Sequence, residues 1–455
     1  MNSHDSAAAG KAAAGMVANH AHVRPRAQRW YVLGLLTLVY GLNIADRFSI
    51  STLIEPIRLE LHLSDSGIAF LTGVALALFY VTIGIPIAVL ADRANRRNIL
   101  AISIAIWSAM TAFCGFTRNY TQLLLGRFGV GIGEAGGTPP SSSILADEFP
   151  PQRRPMALTI WALGACLGAW LGSSITGQIA AQFGWRAAFR ALGIPGLIVA
   201  LVLWMTVREP ERGRFDQPGG ADAAEPDADA RAPAAPRASL WGTLGYLEQH
   251  RSALHLVLGG SVATLWSWGL IWWMPTFLQR CHHLTLEQAG NLLGPMHLIA
   301  GTAGTLMAGW LMTGRAASDP RHITRLLAWG LALSTIPSMA LLWVDSTWAV
   351  TLLLWIFVPA VYFYIGPIMG LLQNVVPPHM RATTCALLLF TANVANLVIA
   401  PQVVGAFSDG FASAFNAGSE SLRWAMLILA PTGFWAAWHL WAAEKTVIAD
   451  EAAAR

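Results

Sequence analysis

The sequence predicts an all-α membrane protein with twelve transmembrane helices, arranged as two six-helix bundles. Of its 455 residues, 55% are hydrophobic and only 12% are charged, and the mean hydropathy is +0.50. Soluble domains carry roughly 25% charged residues, so a soluble core does not account for this composition. A membrane-spanning helix needs about 20 apolar residues, and apolar runs of that length recur along nearly the whole chain.

Each apolar run between charged or Pro- and Gly-rich breaks is predicted to cross the membrane once. The predicted spans are 30–52, 66–90, 98–116, 122–145, 156–180, 187–207, 254–278, 288–313, 323–344, 347–372, 382–407 and 423–443. They divide the chain into a tail (1–29), a first bundle (30–207), a linker (208–253), a second bundle (254–443) and a second tail (444–455). The first tail has no continuous apolar region, so we interpret it as cytoplasmic and not as a signal peptide.

The distribution of basic residues predicts the orientation. With a cytoplasmic amino terminus, most of the 29 Lys and Arg fall on the cytoplasmic side. The outer connections hold a smaller share, namely Arg58, Arg118, Arg186, Arg190, Arg280 and Arg423. The positive-inside rule therefore predicts that both termini are cytoplasmic. The net charge of +4 reflects this topology and gives no reason to expect a nucleic-acid partner.

Two features support a division into halves. The middle of the linker is low-complexity and rich in Pro, Ala and Asp, which is typical of a flexible connection. Its end places Leu240, Leu244 and Leu247 at helical spacing and predicts a short amphipathic helix on the inner surface. The segment FPPQRRPMA also matches VPPHMRATT in the second half, as a parallel repeat of six helices would require.

Short motifs in the first half carry a family resemblance. The loop after the second span reads ALADRANRRNIL and contains Asp92, Arg93, Arg96 and Arg97; further motifs are NIADR, GVGIGEAG, FPPQRR and GWRAAF. Together they resemble the spinster branch of the major facilitator superfamily. The resemblance implies the major facilitator fold, alternating access and a bacterial inner-membrane location. Animal members of that branch export lysophospholipids and sphingoid phosphates.

The loop motif predicts a conformational gate. Asp92 at a helix end, with Arg93, Arg96 and Arg97 close by, could tie spans together on the cytoplasmic face through charge-assisted hydrogen bonds. The alternative is that these arginines only anchor the loop on the cytoplasmic side.

Charged residues inside predicted spans are costly and mark function by default. The first span contains Asp46 and Arg47, and the fourth contains Arg127 and Glu134. Asp46 and Arg127 lie at similar depth, which predicts a contact, and Arg47 is expected to face either Glu134 or the cavity. The residues predicted to contact substrate or form ion pairs are Arg47, Arg127, Asn43 and Tyr40.

Glu134 or Asp46 is predicted to take up a proton and to lose its arginine partner when it does so. The alternative is a permanently paired network that only holds the two spans together. The second half carries no matching charges, since Trp273, Leu354 and Val361 occupy the aligned positions.

Aromatic side chains are the predicted contribution of the second half. The cavity candidates are Trp268, Trp272, Trp273 and Tyr362. For Trp272 and Trp273 a place in the aromatic belt at the membrane surface is an equal alternative. His297 and His439 either titrate near neutral pH or hydrogen-bond between helices.

The sequence therefore favours a secondary transporter of an amphipathic organic anion, lysolipid or sphingoid-like, coupled to protons. The alternatives are a symporter of a small aromatic or aliphatic carboxylate and a membrane sensor on a transporter scaffold. Neither a nucleophile with a base nor a metal cluster is evident in the sequence, so we predict no enzyme activity, catalytic residue, metal or cofactor. The expected partners are the substrate, protons and the lipid bilayer, with the chain acting as a monomer.

Overall fold

The computed structural model describes residues 26–212, 239–312 and 319–454. Within these ranges the chain is helical and contains no strand, which confirms the predicted all-α class. Most of the predicted first tail and the middle of the predicted linker lie outside the described residues. In lipid a helix satisfies every backbone hydrogen bond within its own segment, so apolar runs of this length fold as helices.

The first half begins with a long helix and ends just before the linker. Its helices are α1 (Arg26–Thr52), α2 (Ile54–Glu60), α3 (65–93), α4 (Arg96–Cys114), α5 (Tyr120–Glu134), α6 (Thr138–Glu148), α7 (Arg154–Phe183) and α8 (Trp185–Thr206). Helices α3 and α7 each contain a π turn, at Phe70–Val74 and Leu171–Ile175.

The second half repeats this pattern after a short helix from the end of the linker. Its helices are α9 (Leu240–Gln249), α10 (Arg251–Cys281), α11 (Leu286–Leu311), α12 (Pro320–Trp343), α13 (Thr347–Asn374), α14 (Pro378–Phe415), α15 (Glu420–Leu429), α16 (Thr432–Glu444) and α17 (Val447–Ala454). The predicted amphipathic helix is present as α9, with Leu247 buried and Leu240 exposed. Helix α17 lies in the predicted second tail, where Asp450 accepts a hydrogen bond from the backbone of Ser252.

Nine helical segments of the described chain are long and apolar enough to cross a membrane. The predicted span 122–145, the described part of 288–313 and the predicted span 423–443 are helical for most of their length but fall outside this group. The first of these is interrupted between α5 and α6, and the last between α15 and α16, in each case next to a proline. The count of twelve spans therefore stays a prediction.

The chain ends define two faces of the molecule. Tyr31 near the start of α1 bonds to Thr206 at the end of α8, and Arg325 pairs with Glu444 at the end of α16. We call this end the tail face. The end that carries α2 is the far face, where Arg186 pairs with Glu60.

Helix α7 packs closely against α1 through a stripe of small residues. A Cβ atom at Gly168 would lie 2.2 Å from the carbonyl oxygen of Gly41, and one at Gly172 would lie 2.5 Å from that of Ala45. Both distances are far below van der Waals contact, so the helices meet backbone to backbone. This contact fixes the position of α1, which carries the charged residues.

We expect Gly168→Ala to destabilise the protein because its methyl group has no room against Gly41. Overpacking of this kind costs about 1–3 kcal/mol, so the midpoint of thermal unfolding in detergent should fall. Gly34→Ala is the matched control on α1, because a Cβ there meets nothing within 4 Å. Equal unfolding midpoints for the two variants would contradict the packing described here.

Candidate functional site

A sealed ion pair joins α1 to α5. Arg127 donates from Nη1 to Oδ2 of Asp46 at 2.7 Å, and Thr111 donates to Oδ1 at 2.6 Å. Arg127 is fully buried and Asp46 nearly so. The predicted contact between Asp46 and Arg127 is therefore confirmed, and both oxygens of Asp46 have donors. Such a pair is costly to break, because either partner alone would be an uncompensated buried charge.

A second ion pair lies one residue along α1 and differs in its exposure. Arg47 bonds to Oε2 of Glu134 through Nε at 2.9 Å and Nη2 at 2.8 Å. The Glu134 side chain is fully buried, whereas 14% of the Arg47 side chain is exposed. Among the described residues no donor reaches Oε1 of Glu134. Of the two predicted directions for Arg47, the structure thus shows the contact with Glu134.

Arg47 also lies over the ring of Tyr80 on α3, with its guanidinium carbon 5.0 Å from the ring centre. A cation over an aromatic face gains electrostatic attraction. Tyr80 was missed by the sequence reasoning, since a single tyrosine in an apolar span gives no signal of its own.

Glycines on α5 let neighbouring helices approach this site. A Cβ atom at Gly133 would lie 2.4 Å from the backbone nitrogen of Trp107, and one at Gly131 would lie 2.6 Å from the carbonyl oxygen of Leu76. The glycine-rich run around Glu134 therefore allows α3 and α4 to pack directly on α5. This close packing is what buries Glu134.

Tyr40 and Asn43 lie on the tail-face side of these pairs. Tyr40 stacks on Trp161 of α7 with ring centres 4.4 Å apart, and Asn43 is buried nearby. Both line a small cavity together with Ser141 of α6. Trp161 and Ser141 were not predicted, because their place at the site depends on how α6 and α7 pack.

The aromatic residues of the second half form a cluster in contact with α1. Trp268 lies against Phe48 and Tyr362, with ring centres 6.0 and 5.6 Å apart. His297 packs on Phe48 at 4.7 Å, and its Nδ1 is 3.0 Å from the Tyr362 hydroxyl. The predicted residues Trp268 and Tyr362 therefore meet, and Phe48 brings the first half to them.

Trp272 and Trp273 are buried in the protein, with exposed fractions of 6% and 0%. The indole of Trp272 donates to Thr72 of the first half at 3.3 Å. The membrane-belt alternative is thus wrong for both residues. His439 is 2.8 Å from His255 between their Nδ1 atoms, so it forms the interhelical hydrogen bond that was one of its two predicted roles.

The predicted gate residues occupy different environments on the tail face. Arg96 is buried and pairs with Asp147 of α6 and with Glu209 after α8, while the backbone of Arg97 donates to Glu209. Arg93 is exposed, and the side chain of Asp92 lies outside the described part of the chain. The contacts of Arg96 connect α4 with α6 and with the start of the linker. They therefore stabilise the packing of these segments within the first half.

A charged cluster on the far face joins the two halves. Arg280 of α10 donates to both oxygens of Asp65 at 2.8 and 2.7 Å, and to Glu55 at 2.7 Å. Asp409 of α14 accepts from the backbone nitrogens of Asp65 and Ser66 at 2.8 and 2.9 Å. We call Glu55, Asp65, Arg280 and Asp409 the far-face lock. It was missed because Arg280 was assigned only to a loop at the membrane surface.

The environment of Glu55 favours its charged form. Burial on its own would raise the pKa of this carboxyl, but hydrogen bonds and charge from Arg58 and Arg280 outweigh burial, and the pKa lies below its ordinary value. Glu55 therefore keeps its charge, and its hold on Arg280, further into the acid range than a free glutamate would.

Close packing also holds the halves together at two helix pairs, α3 with α14 and α7 with α11. A Cβ atom at Gly73 would lie 2.1 Å from the carbonyl oxygen of Leu397, and one at Gly290 would lie 2.4 Å from that of Ser173. Gln178 donates to Asn291 across the same interface at 2.7 Å. The far face is therefore closed in this conformation.

We expect Arg280→Gln to loosen the far face, because Asp65 and Glu55 lose their shared cation. Gln178→Cys and Asn291→Cys, in a background without the native cysteines, should cross-link readily under oxidation when the face is closed. Adding Arg280→Gln should reduce the cross-linked fraction several-fold, whereas Arg190→Gln, outside the lock, should not. An unchanged fraction would show that packing alone keeps the face closed.

Several known proteins are similar to this chain. A family model described as the Major Facilitator Superfamily matches residues 36–401. An MFS-type efflux pump of Mycolicibacterium smegmatis is 30% identical over 90% of this chain and 91% of its own. A probable L-galactonate transporter of Escherichia coli is 26% identical, covering 84% of both chains.

Spinster proteins are also similar. The sphingosine-1-phosphate transporter SPNS2 of Danio rerio is 27% identical over 84% of this chain and 76% of its own. A solved bacterial homologue of the human lysosomal transporter Spinster, inward-facing and unoccupied, superposes with a TM-score of 0.78 at 28% identity. That alignment covers 94% of this chain and 99% of the homologue.

Proposed function

The chain belongs to the major facilitator superfamily and is a membrane transporter. We propose that it moves an amphipathic organic anion. In this proposal transport proceeds by alternating access and is coupled to protons. The observation that carries the proposal is the partly exposed pair of Arg47 and Glu134, in which one carboxylate oxygen has no donor among the described residues. The proposed location is a bacterial inner membrane with the tail face in the cytoplasm, as the distribution of basic residues indicates.

Glu134 is a better candidate than Asp46 for the proton carrier. Both oxygens of Asp46 already accept hydrogen bonds, and its partner Arg127 is fully buried. Only one oxygen of Glu134 is bonded, and the side chain of Arg47 is partly exposed. We therefore assign Asp46 and Arg127 to the structure of the first half, and Glu134 and Arg47 to transport.

The chemistry of the pair couples a proton to an anion. A proton that binds to Glu134 removes the negative charge that holds Arg47, and the guanidinium then becomes available to an anionic head group. A carboxylate or phosphate on Arg47 in turn releases Glu134 to be protonated. By linkage, each ligand strengthens the binding of the other by the same factor.

The second half supplies the apolar wall in this proposal. Trp268 contacts both Phe48 of α1 and Tyr362 of its own half. Buried apolar residues stand where the second half aligns with the charges of the first, as Trp273, Leu354 and Val361 show. A site with one cation on one wall and aromatic rings on the other suits a molecule with an anionic head and an apolar chain.

Alternating access is supported by the state of the far-face lock. Glu55, Asp65, Arg280 and Asp409 join the two halves at that face, and we propose that the substrate enters from the tail face in this conformation. We propose that the lock opens in the other conformation, and that the braced first half moves as one body.

We expect sphingosine 1-phosphate to raise the unfolding temperature of the purified protein, and to do so more at about pH 5.5 than at pH 8, because protonation of Glu134 frees Arg47. Arg47→Gln should abolish the shift, while Arg93→Gln, an exposed arginine, should keep it. Stabilisation by L-galactonate instead would favour the small-carboxylate alternative. No stabilisation by either anion would contradict an arginine-led site.

We expect Glu134→Gln to remove the effect of a proton gradient on transport in proteoliposomes, because glutamine cannot take up the proton. Movement down a substrate gradient should continue. Glu248→Gln, an exposed position on α9, is the control and should keep the full gradient effect. If Glu134→Gln still responds to the gradient, another group carries the proton. Ligand binding without net movement in the unaltered protein would instead support a sensor.

A further inference from the structure

Arg47 is held by two groups on two different helices. Its guanidinium donates hydrogen bonds to Glu134 of α5, and the guanidinium carbon lies 5.0 Å from the ring centre of Tyr80 of α3. That distance is within the roughly 6 Å at which a cation and an aromatic face attract each other. Only the first of these contacts depends on the charge of Glu134.

The packing of α3 on α5 fixes the position of Tyr80. A Cβ atom at Gly131 would lie 2.6 Å from the carbonyl oxygen of Leu76, which precedes Tyr80 by one helical turn on the same face. The ring of Phe79 lies against that of Phe128 on α5, with ring centres 4.9 Å apart. The backbone that carries Tyr80 is therefore held in place independently of the ion pair.

The ring interacts differently with the two charge states of Glu134. The face of an aromatic ring is negative, so it attracts the guanidinium of Arg47. While Glu134 is charged, the guanidinium is largely neutralised by the carboxylate. Once Glu134 is protonated, the full cationic charge is left to the ring. Tyr80 therefore stabilises the state with neutral Glu134 more than the state with charged Glu134.

We infer that Tyr80 is a positioning residue for proton coupling, an inference that rests on the proposed role of Glu134. Its ring holds the guanidinium of Arg47 in place when Glu134 takes up a proton. An anionic head group then meets a guanidinium that is already positioned, so less conformational freedom is lost on binding. Because the ring favours the protonated state, it also raises the pH at which Glu134 is neutralised.

The other charged or titratable groups near this pair are Tyr40 and Asp46 on α1 and Arg127 on α5. Asp46 and Arg127 form an ion pair of their own, and both oxygens of Asp46 accept hydrogen bonds. Glu134 is therefore the group that titrates in this inference.

Infrared difference spectra of the purified full chain, recorded without ligand over a pH titration, test the role of Tyr80. The carbonyl stretch of protonated Glu134 is the band that disappears in Glu134→Gln. In Tyr80→Leu we expect the pH midpoint of this band to fall by up to about one unit, a factor of roughly ten in proton affinity. Tyr80→Phe keeps the ring and should keep the midpoint.

The matched control is Phe79→Leu on the same helix. It removes a ring that packs on Phe128, and adjacent helical residues point about 100° apart. We expect this variant to lower the unfolding temperature and to leave the pH midpoint of the Glu134 band unchanged.

Replacement of Tyr80 by fluorinated phenylalanines separates electrostatic attraction from packing. Fluorine withdraws electrons from the ring face and largely preserves the shape of the side chain. With each added fluorine we expect the midpoint to fall further, because the ring attracts the guanidinium less strongly. This series also tests the inference if Tyr80→Leu does not fold.

The outcomes separate this inference from the proposed function. A midpoint that stays constant across the fluorinated series would overturn the role of Tyr80 and leave Glu134 as the proton carrier. A shift in Tyr80→Phe as large as that in Tyr80→Leu would assign the effect to the hydroxyl group and would also overturn it. The absence of any band sensitive to Glu134→Gln would overturn the inference and the proposed function together.

Discussion

A charge in the apolar interior of a membrane protein is tolerated only where a partner compensates it, and this constraint organises the first half. Two acidic and two basic side chains lie between α1 and α5, of which only Arg47 is partly exposed, and they form two ion pairs. Adjacent residues of α1 point in different directions, since each step turns the helix by about 100°. Asp46 and Arg47 therefore each select a different partner on α5.

The two pairs differ in what surrounds them, and that difference separates structure from transport. Asp46 accepts a hydrogen bond at each carboxylate oxygen, one from Thr111 and one from Arg127. Glu134 keeps one oxygen without a donor among the described residues, next to an arginine whose side chain is partly exposed. Both pairs leave buried polar atoms without partners among the described residues, Nε and Nη2 of Arg127 in one and Oε1 of Glu134 in the other, but only in the second is a carboxylate oxygen open to a proton.

The halves contribute unequal parts to a shared centre. The second half brings aromatic surface to α1, and it brings Arg280 and Asp409 to the far-face lock. Close glycine contacts leave no room between α3 and α14 or between α7 and α11. The far face is therefore closed by both ion pairs and close packing. On the tail face, the ion pairs of Arg96 stabilise the first half.

The sequence alone determined the all-helical membrane class, the family resemblance and the four buried charges, because apolar run length and charges within such runs are local signals. Helical depth also predicted that Asp46 meets Arg127. Only the tertiary structure decided that Arg47 turns to Glu134, that Trp272 and Trp273 are buried, and that Trp161 and Ser141 reach the site. It also assigned Arg280 to the lock. Each of these depends on how separate helices pack and rotate, which a pattern along one helix does not record.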